Sequence, residues 1–306
     1  MSHNPTSMDL TSFALLLVLA AVWGGSFFFA EVALLEVSPL TIALHRVLWS
    51  LPVLILIVRL KGIAIPRSPG IWGAYLGMGL LNNAIPFSLI FWGQTQIESG
   101  LASILNATTA MFAAVVAGLL LKDEPLTRNK LLGAGIGLVG VALIMGVDAI
   151  TSFDPSNLAQ LAVLGATLSY AFAGVWGKTM LSGQPPLMNA CGMVIGSSVL
   201  LLPLVLLTEG VPSFALSATT WGALLGLALL STVFAYALYF AILKRAGAAN
   251  LLLVTLLIPP FAIALGALFL GETIGREAWG GFAVIAFGFA VTDGRLFQRT
   301  GARAKP

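Results

Sequence analysis

The sequence predicts an all-α integral membrane protein with ten transmembrane helices in two inverted five-helix repeats. Three observations point there. Hydrophobic residues make up 58% of the 306 residues and charged residues 9%, where a soluble domain is about a quarter charged, and mean hydropathy is +1.00. Apolar runs long enough to cross roughly 30 Å of hydrocarbon recur from Phe13 to about Val291. The second half of the chain also echoes the first.

Spans are expected at 13–35, 39–58, 70–92, 98–121, 129–147, 159–178, 186–207, 220–243, 247–270 and 276–292. The first is too long and too rich in Trp and Phe for a removable signal peptide, and no small-residue cleavage site follows it. Asn82, Asn83 and Pro86 interrupt the third. Only a weak polar break, Thr95 to Glu98, parts the third from the fourth, and the choice between nine and ten spans turns on it. The seventh holds Cys191, the single cysteine, which excludes an internal disulfide and reads as a buried structural thiol. Pro259-Pro260 is expected to break the ninth. The 33 glycines suit close helix packing in lipid. Continuous apolar runs, not short alternating strands, exclude a β-barrel.

Charge sets the expected orientation. With the N-terminus in the cytoplasm, 13 of the 15 Lys and Arg fall in inner loops or the C-terminal tail. Only Arg276 lies in an outer loop, and Arg46 lies within a span. The outer side collects Glu36, Glu98, Asp148, Asp154, Glu209, Glu272 and Glu277. Short cytoplasmic loops are Lys/Arg-rich, so both termini are expected in the cytoplasm of a cell with this chain in its inner (plasma) membrane. The basic residues are scattered over membrane-proximal loops, so no nucleic-acid partner is expected.

Trp72-Gly73-Ala74-Tyr75-Leu76-Gly77 matches Trp221-Gly222-Ala223-Leu224-Leu225-Gly226 at an offset of 149. Gly118, Glu124, Gly133 and Gly140 match Gly266, Glu272, Gly281 and Gly288 at an offset of 148. Trp23-Gly24 echoes Trp176-Gly177. An odd number of spans per half turns the second half upside down relative to the first. Residues 1–150 and 151–306, the latter ending in a short cytoplasmic tail, are the expected units. Two inverted units have two nearly equivalent packings, one open to each side, which is the physical basis of alternating access. The small-residue pairs Gly73/Gly77, Gly222/Gly226, Ala114/Gly118 and Ala262/Gly266 are expected at close helix contacts, or at a hinge.

The order Trp23-Gly24-Gly25-Ser26-Phe27-Phe28, Ser38-Pro39-Leu40, Arg46 with its apolar followers, Lys122-Asp123-Glu124-Pro125 and Leu270-Gly271-Glu272 resembles the ten-span EamA-like family of the drug/metabolite transporter superfamily. The resemblance covers essentially the whole chain. It implies an inner-membrane carrier for small metabolites, often an exporter of amino acids, aromatic or broad in range, with a central cavity lined from both halves.

Candidate substrate-binding or gating residues are Trp23, Glu31, Arg46, Tyr75, Asn82, Asn83, Asn106, Tyr170, Trp176, Tyr236, Tyr239 and Pro259. A lone charge in a span is costly, so Glu31 and Arg46 are expected either to pair or to face a water-filled cavity, and Glu31 could also carry a proton. The second half offers Gln184 and Met193 where the first has this pair. The lopsided site suits a zwitterionic substrate. His45 reads as a packing residue. The asparagines can bond helix backbone or ligand, and Pro259 can open carbonyls toward a cavity or only bend the helix. The tyrosines offer a ring with a hydroxyl, and Trp23 and Trp92 suit either the pocket or the headgroup interface.

No phosphate loop for ATP is present, no cofactor or metal is expected, and one chain holds both halves of the cavity, so a monomer suffices. The expected mechanism is alternating access around a cavity lined by spans 1, 3, 4, 6, 8 and 9, with spans 5 and 10 outside it. Downhill flow, exchange and proton coupling all stay open. The competing substrates are sugars, nucleobases and cationic drugs. The competing classes are a channel, a membrane enzyme and a scaffold or receptor; scattered outer acids give no acid/base pair for an enzyme.

Overall fold

The computed structural model describes residues 9–145 and 155–293, and every regular element among them is helical. Asp148, Asp154, the unit boundary at 150/151 and both termini lie outside the described residues.

Helix α1 spans Leu10–Leu34 and opens on Asp9, whose carboxylate accepts from the Ser12 amide at 2.8 Å. Helix α2 (Pro39–Leu60) begins on a proline, where the missing N–H costs nothing. Next comes a rod of α3 (Pro69–Gly79), a π-helical turn (Leu80–Ala84) and α4 (Ile85–Gly93). Helices α5 (Ser99–Asn106) and α6 (Thr109–Leu120) follow in line, then α7 (Arg128–Met145). The second half holds α8 (Pro155–Met180) and α9 (Pro186–Thr208). After them runs a rod of α10 (Ala218–Leu225), a π segment (Gly226–Phe234) and α11 (Ala235–Leu251). Helix α12 (Val254–Leu265) with its π turn (Gly266–Leu270) and α13 (Arg276–Asp293) complete the fold. Seven of these rods are long and apolar enough to cross a membrane, and Val254–Leu270 is a shorter apolar helix.

The π turn in the third rod leaves a carbonyl to be satisfied. Pro86 has no N–H, so the i→i+5 bond it would make to the Leu81 carbonyl is missing. Ser169 of α8 supplies the donor instead, at 2.7 Å. The weak break after α4 is a real turn, closed by Thr95 and Gln96 amides on the Trp92 and Gly93 carbonyls. Pro259 and Pro260 do not break their helix, contrary to expectation; both lie inside α12. The chain bends earlier, at Gly247, whose φ is 79°.

Side-chain contacts fix the helix directions. Gln94, just after α4, bonds Phe27 and Glu31 near the end of α1, so α1 and the α3–α4 rod run the same way. Trp176, late in α8, donates to the Ala74 carbonyl in α3 at 2.9 Å, and a Cβ on Gly93 would meet Val163 and Ala159, early in α8. Helix α8 therefore runs opposite to α3–α4 and to α1. Helices α7 and α13 pack against each other through glycines, where Gly133 faces Gly288 and Gly140 faces Gly281. The expected small-residue pairs behave differently. Gly77 makes room for the Trp176 ring, Gly226 for the Phe29 ring and Gly266 for the Glu272 carboxylate, so side chains fill these gaps, whereas Gly118 meets Leu126 backbone and side chain alike and the Ala262 backbone lies against Gly24. Cys191 is buried and free.

Candidate substrate site

Arg46 lies about 10 Å along α2 from its start and is 8% exposed. Its Nε donates to Thr232 Oγ1 and its Nη2 to the Ser231 carbonyl, both at 3.2 Å. Its guanidinium carbon sits 3.9 Å from the centre of the Phe87 ring, a cation–π contact. The π segment makes this possible. Thr232 donates its own hydroxyl proton to the Leu227 carbonyl at 3.0 Å, which turns its lone pairs toward the guanidinium. Ser231 pins the same segment to α1 through the Val22 carbonyl.

Tyr170 of α8 and Tyr236 of α11 stand close enough to interact electrostatically with the guanidinium. Tyr239 packs against Trp23, ring centres 6.1 Å apart, and against Phe240 at 5.3 Å. Tyr170, Tyr236 and Tyr239 are half-buried, and among the described residues their hydroxyls have no hydrogen-bond partner. The structure thus gathers Trp23, Arg46, Tyr170, Tyr236 and Tyr239, and adds Phe87, Ser231 and Thr232, which the sequence did not single out.

Of the two arrangements expected for Glu31 and Arg46, the ion pair is absent among the described residues. Glu31 accepts from Gln94 Nε2 at 3.1 Å, and the ion pairs among the described residues are Lys178 with Asp123 and Glu124, and Arg245 with Asp9. The two charges point to different neighbours, α4's end for Glu31 and the π segment for Arg46. Gln94, an amide just past a span end, was the signal for the Glu31 partner.

The other candidates make contacts outside the Arg46 cluster. Tyr75 is 0% exposed, with its ring over Gly192. Trp176 is tied to Ala74, and Asn83 donates to Ser197 at 3.1 Å. Asn82 reaches Asn83 and Met193. Pro259 is buried within α12. Asn106 ends α5 with its Oδ1 buried and unpaired. His45 accepts from Trp49 Nε1 at 2.8 Å among the rings of Phe214 and Trp221, as a packing residue would.

At one end of the bundle, carboxylates sit on helix starts. Glu209 accepts from the Leu40 and Thr41 amides and from Thr41 Oγ1, and Glu272 accepts from the Ser99 and Gly100 amides and from Ser99 Oγ. Glu36 accepts from the Ser217 amide, and these Ser217 hydrogen bonds hold its carboxyl below the usual 4.5. Burial pushes the neighbouring Glu98 above that value, despite a weak bond from the Thr273 amide. At the other end the ties are exposed ion pairs, and Lys178 holds the Asp123 carboxyl low through its hydrogen bond. A cavity of about 10 Å³ between α6 and α7, lined by Thr108, Met111 and Gly137 among others, would hold one water at most and lies away from Arg46.

Helices of membrane-crossing length with a buried guanidinium among half-buried rings define a multi-pass membrane protein with an ionisable site inside the bundle. The sequence profile of the EamA-like transporter family matches residues 11–146 and again 157–292, and the chain belongs to that family. It is a small-molecule transporter of the drug/metabolite transporter superfamily and not an enzyme. The uncharacterized transporter YoaV of Bacillus subtilis is 27% identical over 256 residues, 83% of this chain and 86% of its own. A probable amino-acid metabolite efflux pump of Salmonella typhimurium is 28% identical over 300 residues, 90% of this chain and 95% of its own. The uncharacterized inner membrane transporter YedA of Escherichia coli K12 is 24% identical over 280 residues, 91% and 89%. A solved crystal structure, 19% identical, shares the fold with a TM-score of 0.65 over 97% of this chain and 100% of its own.

Proposed function

We propose that the protein exports amino acids or closely similar zwitterions across the inner membrane. It would do so by alternating access between two inverted five-span units, residues 1–150 and 151–306, with both termini in the cytoplasm. The carrying observation is that the Arg46 cluster is built across the halves. Arg46, Phe87 and Trp23 come from the first, and Tyr170, Ser231, Thr232, Tyr236 and Tyr239 from the second. Sliding one half on the other must open or close this cluster.

Several facts support the reading. One family profile fits each half. Helices α1 and α8 head in opposite directions. The Gly133–Gly288 and Gly140–Gly281 contacts exchange under the 148-residue offset, as a twofold axis through α7 and α13 requires. The two ends of the bundle are tied unequally, as a state closed to one side would be. Relatives described as probable amino-acid metabolite efflux pumps and as an inner membrane transporter favour the substrate and the membrane.

Counterflow in proteoliposomes with a panel of radiolabelled amino acids, sugars, nucleobases and cationic drugs tests this. Amino acids should exchange; exchange by another class alone defeats the substrate assignment. Repeating the assay across pH with Glu31→Gln decides coupling, since full retention of pH-dependent exchange removes Glu31 as the proton carrier. Tags at residues 1 and 306 should be reachable from the cytoplasmic side only.

A further inference from the structure

Arg46 is a buried cation without a counterion. It has five N–H donors, and two are used, on neutral partners: the Thr232 hydroxyl and the Ser231 carbonyl. The ion pairs among the described residues leave it out, and Glu31 is engaged with Gln94. A buried charge in this position is expensive unless it is paired or hydrogen-bonded in full. A Phe87 face, one hydroxyl and one backbone carbonyl cover only part of that cost. Beside it stand Tyr170 and Tyr236, half-buried, with hydroxyls that have donors to give and no protein acceptor among the described residues.

From this geometry we infer that Arg46 is the anchor for a substrate carboxylate, with Tyr170 and Tyr236 as the additional donors and the Trp23–Tyr239 pair against the substrate's apolar part. The inference rests on the transport reading and narrows it, because the recognised group is then the acid and not the amine. Planar guanidinium and carboxylate match in a two-bond fork, which the unused N–H groups allow. A carboxylate suits the site better than a phosphate. One guanidinium balances one negative charge, and the other Lys and Arg side chains of the described residues fall at helix ends, in loops or, for Lys244 and Arg245, beside the Gly247 kink of α11, where Arg245 pairs with Asp9. A purely cationic substrate would meet repulsion with no carboxylate beside it.

Binding of four shape-matched probes to the wild-type protein tests this without any mutation: L-phenylalanine, its methyl ester, 3-phenylpropionate and 2-phenylethylamine. Affinity is read from tryptophan fluorescence and transport from counterflow in the same liposomes. The two carboxylates should bind at least about tenfold more tightly than the ester and the amine, the weight of one charged hydrogen-bonded contact. Arg46→Gln should remove that preference and Arg46→Lys should keep part of it, in protein whose melting temperature shows it folded. Equal affinity for ester and acid, or failure of either carboxylate to bind, overturns the anchor. Counterflow of an amine or neutral compound alone also overturns it while the carrier reading stands. Carboxylate binding without counterflow keeps the anchor and defeats the carrier.

Discussion

Ser99 gives its hydroxyl proton to Glu272 at 2.7 Å and its amide at 2.9 Å, and so fastens the start of α5 to the end of the α12 segment. The residue at the matching place in the first half, Glu124, does something else. It pairs at 2.7 Å with Lys178, in a contact open to solvent. The position that corresponds to Ser99 is Gly247, whose positive φ marks a kink between two helices. One sequence element is thus a helix cap at one end of the bundle and an exposed ion pair at the other. A carboxylate on a helix start gains from both the free amides and the dipole, whereas an exposed pair gains little. The two ends of the bundle are therefore tied by contacts of different strength.

Glu272→Gln keeps the shape of the cap and removes its charge. The tie should weaken by about 1–2 kcal/mol, the scale of a charged hydrogen bond partly open to water. In a Cys191→Ser background, a cysteine at Ser103, one turn into α5 and 0% exposed, should then react with a membrane-impermeant thiol reagent about tenfold faster. Glu124→Gln should leave that rate alone. Equal rates for Glu272→Gln and its parent would show that the cap does not hold this end shut.

Glu36 gives the same end a pH dependence. The Ser217 hydrogen bonds lower its pKa from 4.5 in the tied state. The tie therefore has its full strength above pH 4.5 and loses it as the pH falls through the depressed value. Spin labels on cysteines at the exposed Leu35 and Val211 should move apart on acidification below that range and stay put from pH 5 to 8. Glu36→Gln should abolish the response. Separation on alkalinisation, or an intact response in the variant, would be the wrong sign or the wrong group.

Between α7 and α13 the backbones themselves touch, and a Cβ at Gly140 would press on the Gly281 carbonyl and Ile285. Gly140→Leu should lower stability in detergent by about 1–3 kcal/mol, an overpacking cost. Gly135→Ala, where a Cβ meets nothing within 4 Å, should be neutral. A melting temperature unmoved by Gly140→Leu would mean that these helices separate readily.

Helices and their ends were legible because span length and apolar composition are set by the bilayer, and even the slight polarity of Thr95 to Glu98 marked a true turn. The class of the glycine contacts between α7 and α13 could be anticipated, but not the partners, since a repeat fixes equivalence and leaves contact open. Arg46 could be named from its cost in a span. Its neighbours could not, because Ser231 and Thr232 reach it only through a π segment of nine residues that no hydrophobic period announces. A pair with Glu31 was one of the arrangements that charge allowed, and it left out Gln94, whose single amide spans Phe27 and Glu31. The double proline misled for a related reason. Pro259 and Pro260 remove donors from α12, yet the helix persists through them, packed against Gly24 on α1.

The two Trp-Gly motifs make the sharpest comparison of scaffold with site. Trp176 gives its indole N–H to the Ala74 carbonyl and covers Gly77, so its loss should cost structure. Trp176→Phe should lower stability by about 0.5–1.5 kcal/mol, one neutral hydrogen bond, with KM unchanged. Trp23, by contrast, is half-buried, faces Tyr239 and donates no bond among the described residues. Trp23→Leu removes an aromatic surface that a substrate can use, worth about 0.5–1.5 kcal/mol, so KM should rise about two- to tenfold while the melting temperature holds. Thermal melts and counterflow on the same preparations separate the two. If Trp23→Leu melts early with KM intact, Trp23 belongs to the scaffold as Trp176 does, and the repeat's equivalence extends to both residues.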